Sequence, residues 1–159
     1  MATDTQQCLA HYGDPSKAAF IAKWMARHEL PEAVKPYFPM YGGTIKPTAV
    51  YMNKFAAAAL DAVLLDLLAT GLIKEFKSYD GCHNIRLKRG LSEYSIHAWG
   101  LALDFNAAQN PLGVKWGSRP GMFSKAFLDV WRKHGWVCGA DFSRADGMHF
   151  QFTTTFPKA

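Results

Sequence analysis

The chain predicts an α+β fold, a small antiparallel sheet packed against about three helices. Three observations carry this expectation. Segments with helical periodicity or an Ala/Leu-rich composition occur in three places, short stretches alternate apolar with polar residues as half-buried strands do, and the two kinds of segment follow no regular βαβ rhythm. With 159 residues, 49% hydrophobic and 19% charged, the sequence is that of a folded chain able to bury a core in one domain spanning residues 1–159.

The elements follow in order. DPSKAAFIAKWMARHEL, residues 14–30, predicts a first helix, with Asp14 as cap, Pro15 at the first helical position, and Phe20, Trp24 and Arg27 or His28 at helical spacing. LPEAVKPYFPMYGGTIKP, rich in proline and glycine, reads as an irregular connection that sets off residues 1–40 as a possible N-terminal helical extension. MNKFAAAALDAVLLDLLATG predicts a central packing helix that stops at Gly71, with Phe55, Ala59, Ala62, Val63 and Leu67 as its core stripe. LIKEFKSY alternates as a strand. Residues 101–106 form another, and residues 122–134 a third helix ended by Gly135, with Phe123, Phe127, Val130 and Trp131 on one face. HFQFTTTF closes the sheet.

Several classes are excluded by composition. No apolar run reaches the roughly 18 residues that span a bilayer, since Asp61 and Asp66 interrupt the longest. The first residues lack the basic and apolar regions of a signal peptide, which predicts synthesis in the cytoplasm. Cys8, Cys82 and Cys138 are odd in number and lack a CxxC pair, against a disulfide framework or a thiolate zinc site. Net charge is +5, which favours polyanionic partners. The densest basic cluster, Arg86, Lys88 and Arg89, is too short for a nucleic-acid arm and no recognition motif surrounds it. No specific nucleic-acid partner is therefore expected.

The chemistry is concentrated in SIHAWGLALDF. Along residues 101–106, Leu101, Leu103 and Phe105 share one face, and Ala102, Asp104 and Asn106 the other. A bend at Gly100 would bring His97 to the same point as Asp104. In RADGMHFQF, His149 and Gln151 face away from Phe150 and Phe152, and Asp146 precedes His149 across an Asp-Gly turn. Two neutral imidazoles and a carboxylate form a catalytic zinc set that leaves a fourth position for water, and zinc lowers the pKa of that water to about 7. Asp146 is the candidate carboxylate to take its proton. The competing reading of each histidine is a hydrogen-bonded core residue.

Ser95, His97, Gly100, Ala102 and Asp104 match each fixed position of S-x-H-x-x-G-x-A-x-D. This signature resembles that of the zinc D-Ala-D-Ala carboxypeptidases and L-alanyl-D-glutamate endopeptidases, a family related in fold to lysostaphin and the hedgehog signalling domain. Asp146-Gly-Met-His149 is similar to its second motif. The resemblance covers residues 45–153 as a catalytic core. It implies one zinc ion on His97, Asp104 and His149, with Asp146 as catalytic base. Aspartate where the family commonly has glutamate points to the phage endolysin branch. An upstream arginine that grips a substrate carboxylate is implied as well. Arg86 is the better match and Arg89 the second, either of which could instead be a solvated charge. Ser95 is a candidate for a contact to substrate or within the metal surroundings, or a turn residue at the strand entry. His83 is an outside candidate for oxyanion stabilisation against a plain surface histidine, and Trp99 and Trp136 fit core packing better than cleft lining.

The expected function is a zinc-dependent peptidoglycan peptidase, a monomeric phage or prophage endolysin acting as L-alanyl-D-glutamate endopeptidase. It would be made in the host cytoplasm and would reach the cell wall after membrane permeabilisation. A D-Ala-D-Ala carboxypeptidase is the alternative within the class. A non-catalytic zinc-stabilised wall-binding module and a basic nucleic-acid-binding domain are the alternatives outside it.

Overall fold

A computed structural model describes residues 1–87 and 93–158. Among these the fold is α+β as expected, with four α-helices and two small antiparallel sheets rather than one. In chain order the elements are α1 (Asp4–Tyr12), α2 (Ala18–Trp24), β1 (Met25–Glu29), β2 (Ala49–Asn53), α3 (Lys54–Thr70), β3 (Tyr79–Gly81), β4 (Ala102–Phe105), α4 (Lys125–Lys133), β5 (Val137–Cys138) and β6 (His149–Gln151). The first sheet pairs β1 with β2, and the second runs β3-β4-β6-β5. No helix among the described residues is long and apolar enough to cross a membrane.

The expected first helix divides. Asp14 does not cap it: its carboxylate accepts from the backbone and hydroxyl of Ser16 in a turn, and α2 starts at Ala18. From Met25 the chain is extended, because residues 25–29 pair residue by residue with 49–53. Cross-strand pairing here overrides local helix preference. α1 was foreseen only as part of a helical extension. Thr3 and Gln6 close a capping box at its start, and Cys8 and Tyr12 bury in the same core as the other elements.

α3 is the central packing helix. Asn53 caps it through the Phe55 N–H, and Gly71 ends it in the left-handed conformation. Its buried stripe is Ala56, Leu60, Val63, Leu64 and Leu67, rotated from the expected one so that Phe55 and Ala59 lie at the margin of the core. The expected strand over 72–79 is instead a 3₁₀ turn, Leu72–Glu75, with a strand only from Tyr79. Ile73 and Phe76 are both buried, and three-residue spacing suits a 3₁₀ turn better than a strand. Glu75 then accepts from the backbone and hydroxyl of Ser124, the residue that caps α4.

One face of the second sheet makes the core. Phe150 stacks on Trp131 of α4 at 4.2 Å, Phe105 lies 4.5 Å from Phe76, and Phe127 stacks on Phe123. Trp99 and Trp136 are both buried here. The three cysteines are buried and none is in a disulfide.

Gly100 is closely packed. Its φ is +66°, and a Cβ would lie 2.6 Å from the Met25 sulfur and 2.8 Å from the Asn53 backbone nitrogen. Left-handed strain and overpacking should together make Gly100→Ala destabilising by roughly 2–4 kcal/mol, measured by chemical denaturation.

Candidate metal centre

Asp104 and His149 are direct cross-strand partners on β4 and β6. Leu103 pairs with Phe150 on the core side, so alternation sends Asp104 and His149 to the opposite face. His97 precedes the strand, on the far side of Gly100. It sits in a 3₁₀ turn, Ile96–Trp99, whose cap is Ser95: the Ser95 hydroxyl accepts from the His97 backbone N–H at 3.3 Å. Gly100 supplies the predicted bend in left-handed form. Trp99 anchors the turn, donating from its indole to the Gly13 carbonyl, while its own carbonyl accepts from the Asn53 amide.

The result is a tight donor set. His97 Nε2 lies 3.2 Å from Asp104 Oδ2, and His149 Nδ1 lies 3.3 Å from Asp104 Oδ1. One ligand atom from each residue falls within 4.8 Å of the others. Tetrahedral zinc with bonds of about 2.0–2.1 Å sets ligand atoms about 3.3 Å apart, the separation at which each imidazole nitrogen stands from its nearer Asp104 oxygen.

The ring tautomers point the same way. His97 Nδ1 is 2.7 Å from the Cys82 carbonyl oxygen, which only accepts, so Nδ1 carries the proton and Nε2 a lone pair. His149 Nε2 is 2.8 Å from Gln151 Oε1, so Nε2 donates and, in the neutral ring, Nδ1 holds the lone pair. Lone pairs of both rings therefore face carboxylate oxygens. His97 Nε2 and Asp104 Oδ1 are buried without a hydrogen-bond partner. Acceptors gathered in a buried site call for a cation, and the residues fit a divalent metal.

Burial opposes ionisation of Asp104, but contacts to His149 and His97 outweigh it and hold its carboxyl well below the usual range. Burial alone would depress His149, yet the Asp104 and Asp146 carboxylates raise it above the usual imidazole range. Asp146 Oδ2 lies 3.8 Å from His149 Nδ1. Desolvation lifts the Asp146 carboxyl above the usual carboxylate range, partly offset by His149, as suits a group that must accept a proton.

The backbone around Asp146 is clamped. Its N–H donates to Gly139, and its carbonyl accepts from His149. A Cβ on Gly139 would lie 2.2 Å from the Asp146 carbonyl oxygen, and one on Gly147 3.1 Å from Asn110 Cβ.

These groups open into a cleft of about 290 Å³. Arg86 and Ser95 line it, while Arg89 lies outside the described residues. Arg144, Phe142 and Leu112 line it too and were not anticipated. Two residues before Asp146, Arg144 was visible as a cation beside the second motif. His83 lies elsewhere, in a neighbouring cleft, edge-on to Tyr51 at 5.4 Å. Gln151 was placed on the His149 face, but its bond to the ring was not foreseen. Asp4, also in the cleft wall, gave no signal at all.

A metal must displace the proton that the carboxylates attract to His149, so zinc affinity should begin to fall at a pH above the usual imidazole range and keep falling as pH drops. Calorimetry in two buffers of different ionisation enthalpy should register proton release on zinc binding. Residues 89–152 match the family model described as D-alanyl-D-alanine carboxypeptidase. No curated protein and no solved structure matches the chain. The matched stretch contains His97, Asp104, Asp146 and His149, and it supports a metallopeptidase.

Proposed function

We propose that the chain is a zinc-dependent peptidoglycan hydrolase that cuts a stem-peptide amide bond, acting as an L-alanyl-D-glutamate endopeptidase in a phage or prophage lysis system. The observation that carries this reading is the convergence of His97, Asp104 and His149 beside a half-buried Asp146 outside the donor set, in a cleft walled by Arg86 and Arg144. Zinc bound there supplies Lewis acidity towards a carbonyl oxygen and a water of pKa near 7. Asp146 takes the proton of the attacking water and delivers it to the leaving amine. Arg86 grips a carboxylate of the stem peptide and fixes the scissile bond. Arg144 adds a second positive charge to the rim of the cleft. The chain works as a monomer, and its net charge of +5 draws it to the anionic wall in a salt-dependent way. It is made in the host cytoplasm and meets the wall once the membrane is breached.

The description of the matching family model favours a second reading, a D-Ala-D-Ala carboxypeptidase. Product analysis separates the two. Purified peptidoglycan digested with the protein should yield fragments with a free D-glutamate amino group by mass spectrometry. Release of terminal D-alanine alone would overturn the endopeptidase reading. Digestion should stop with a chelator and return with zinc.

Asp146 distinguishes an enzyme from a zinc-stabilised binding module, which has no use for an unligated carboxylate. Asp146→Ala should retain zinc by elemental analysis while hydrolysis falls roughly 10²–10⁴-fold. Undiminished hydrolysis would remove Asp146 from the mechanism.

A further inference from the structure

Of the two imidazoles, His97 is held by a backbone carbonyl, which cannot reverse its polarity. His149 is held by the Gln151 side-chain amide, and an amide can turn over, exchanging acceptor for donor. Something must fix its orientation.

Asp4, at the start of α1, meets that requirement. Its Oδ2 lies 2.6 Å from the Gln151 amide nitrogen, which also reaches Thr153 Oγ1 at 2.9 Å. A carboxylate accepts and cannot donate, so the nitrogen end of the amide must face Asp4. The oxygen end then faces His149 Nε2, the ring proton goes to Nε2, and Nδ1 presents its lone pair to the metal set. With the amide reversed, two acceptors would meet at Asp4. The amide nitrogen would donate to His149 Nε2, and the ring proton would move to Nδ1. There it would bond to Asp104 Oδ1, 3.3 Å away, occupying the atoms a metal needs.

We propose that Asp4, acting through the Gln151 amide, is a positioning residue that sets His149 in its metal-binding tautomer. The inference rests on the zinc-peptidase reading and deepens it. It ties a residue of the N-terminal helix, outside the matched stretch 89–152, to the chemistry of the centre. Gln151 and Thr153 are both buried, so bulk water does not compete for the amide.

Long-range ¹H–¹⁵N NMR of the metal-free full chain at alkaline pH tests it. The unmodified protein should show His149 as the Nε2–H tautomer. Asp4→Ala should shift it towards Nδ1–H and weaken zinc binding about 10-fold or more. Asp4→Ser, which still starts a helix but is too short to reach Gln151, should behave alike. Asp4→Asn, whose amide can present either its oxygen or its nitrogen to Gln151, should leave His149 divided between the two tautomers. In a Gln151→Leu background, Asp4→Ala should cost nothing further. Retention of Nε2–H in a folded Asp4→Ala or Asp4→Ser protein, or additive losses in the double variant, would overturn the proposal. If the unmodified chain binds no zinc, the zinc reading fails, while the tautomer measurement still decides the role of Asp4.

Discussion

The register between β4 and β6 is the constraint on which the rest depends. Opposing Asp104 to His149 also opposes Leu103 to Phe150. A slip of one residue would turn two large apolar side chains towards the cleft and drive a carboxylate into the core. Burial of each such apolar side chain contributes about 1.5–3 kcal/mol. The core that stabilises the sheet therefore also sets the spacing of Asp104 and His149.

The second imidazole arrives by another route. A four-residue 3₁₀ turn, capped by Ser95 and closed by Gly100, swings His97 over the sheet. The hairpin of β1 and β2 packs beneath that glycine through Met25 and Asn53, and α1 holds Trp99 from the other side. Segments far from the ligands in sequence thus buttress the turn that delivers one of them. The polar face has a consistent logic: outward ring nitrogens donate to oxygens, inward ones are bare, and carboxylates bring the negative charge that favours a cation.

Much of this was legible in the sequence, for identifiable reasons. α3 and α4 were readable because a run of good helix formers with a stop glycine, and an apolar stripe at helical spacing, are local signals. The alternation that separates Asp104 and His149 from Leu103 and Phe150 is local as well. The failures are tertiary. Residues 25–29 read as helix until their partner strand is known, and residues 72–76 alternate on paper but pack with a period of three. Thr3-x-x-Gln6 was a local signal for α1 that went unused. The bond from Asp4 to Gln151 joins residues at opposite ends of the chain, and no short-range pattern encodes it.

The glycine clamp around Asp146 has a consequence for altering the protein. Positions 139 and 147 hold the carboxylate's backbone against rigid neighbours, without room for a single added carbon at the first. Leu112, Phe142 and Arg144 border the cleft without belonging to the donor set. Tolerance to change is thus partitioned over a few residues, with fixed machinery inside and an adjustable lip outside. A library aimed at altered substrate preference belongs at the lip.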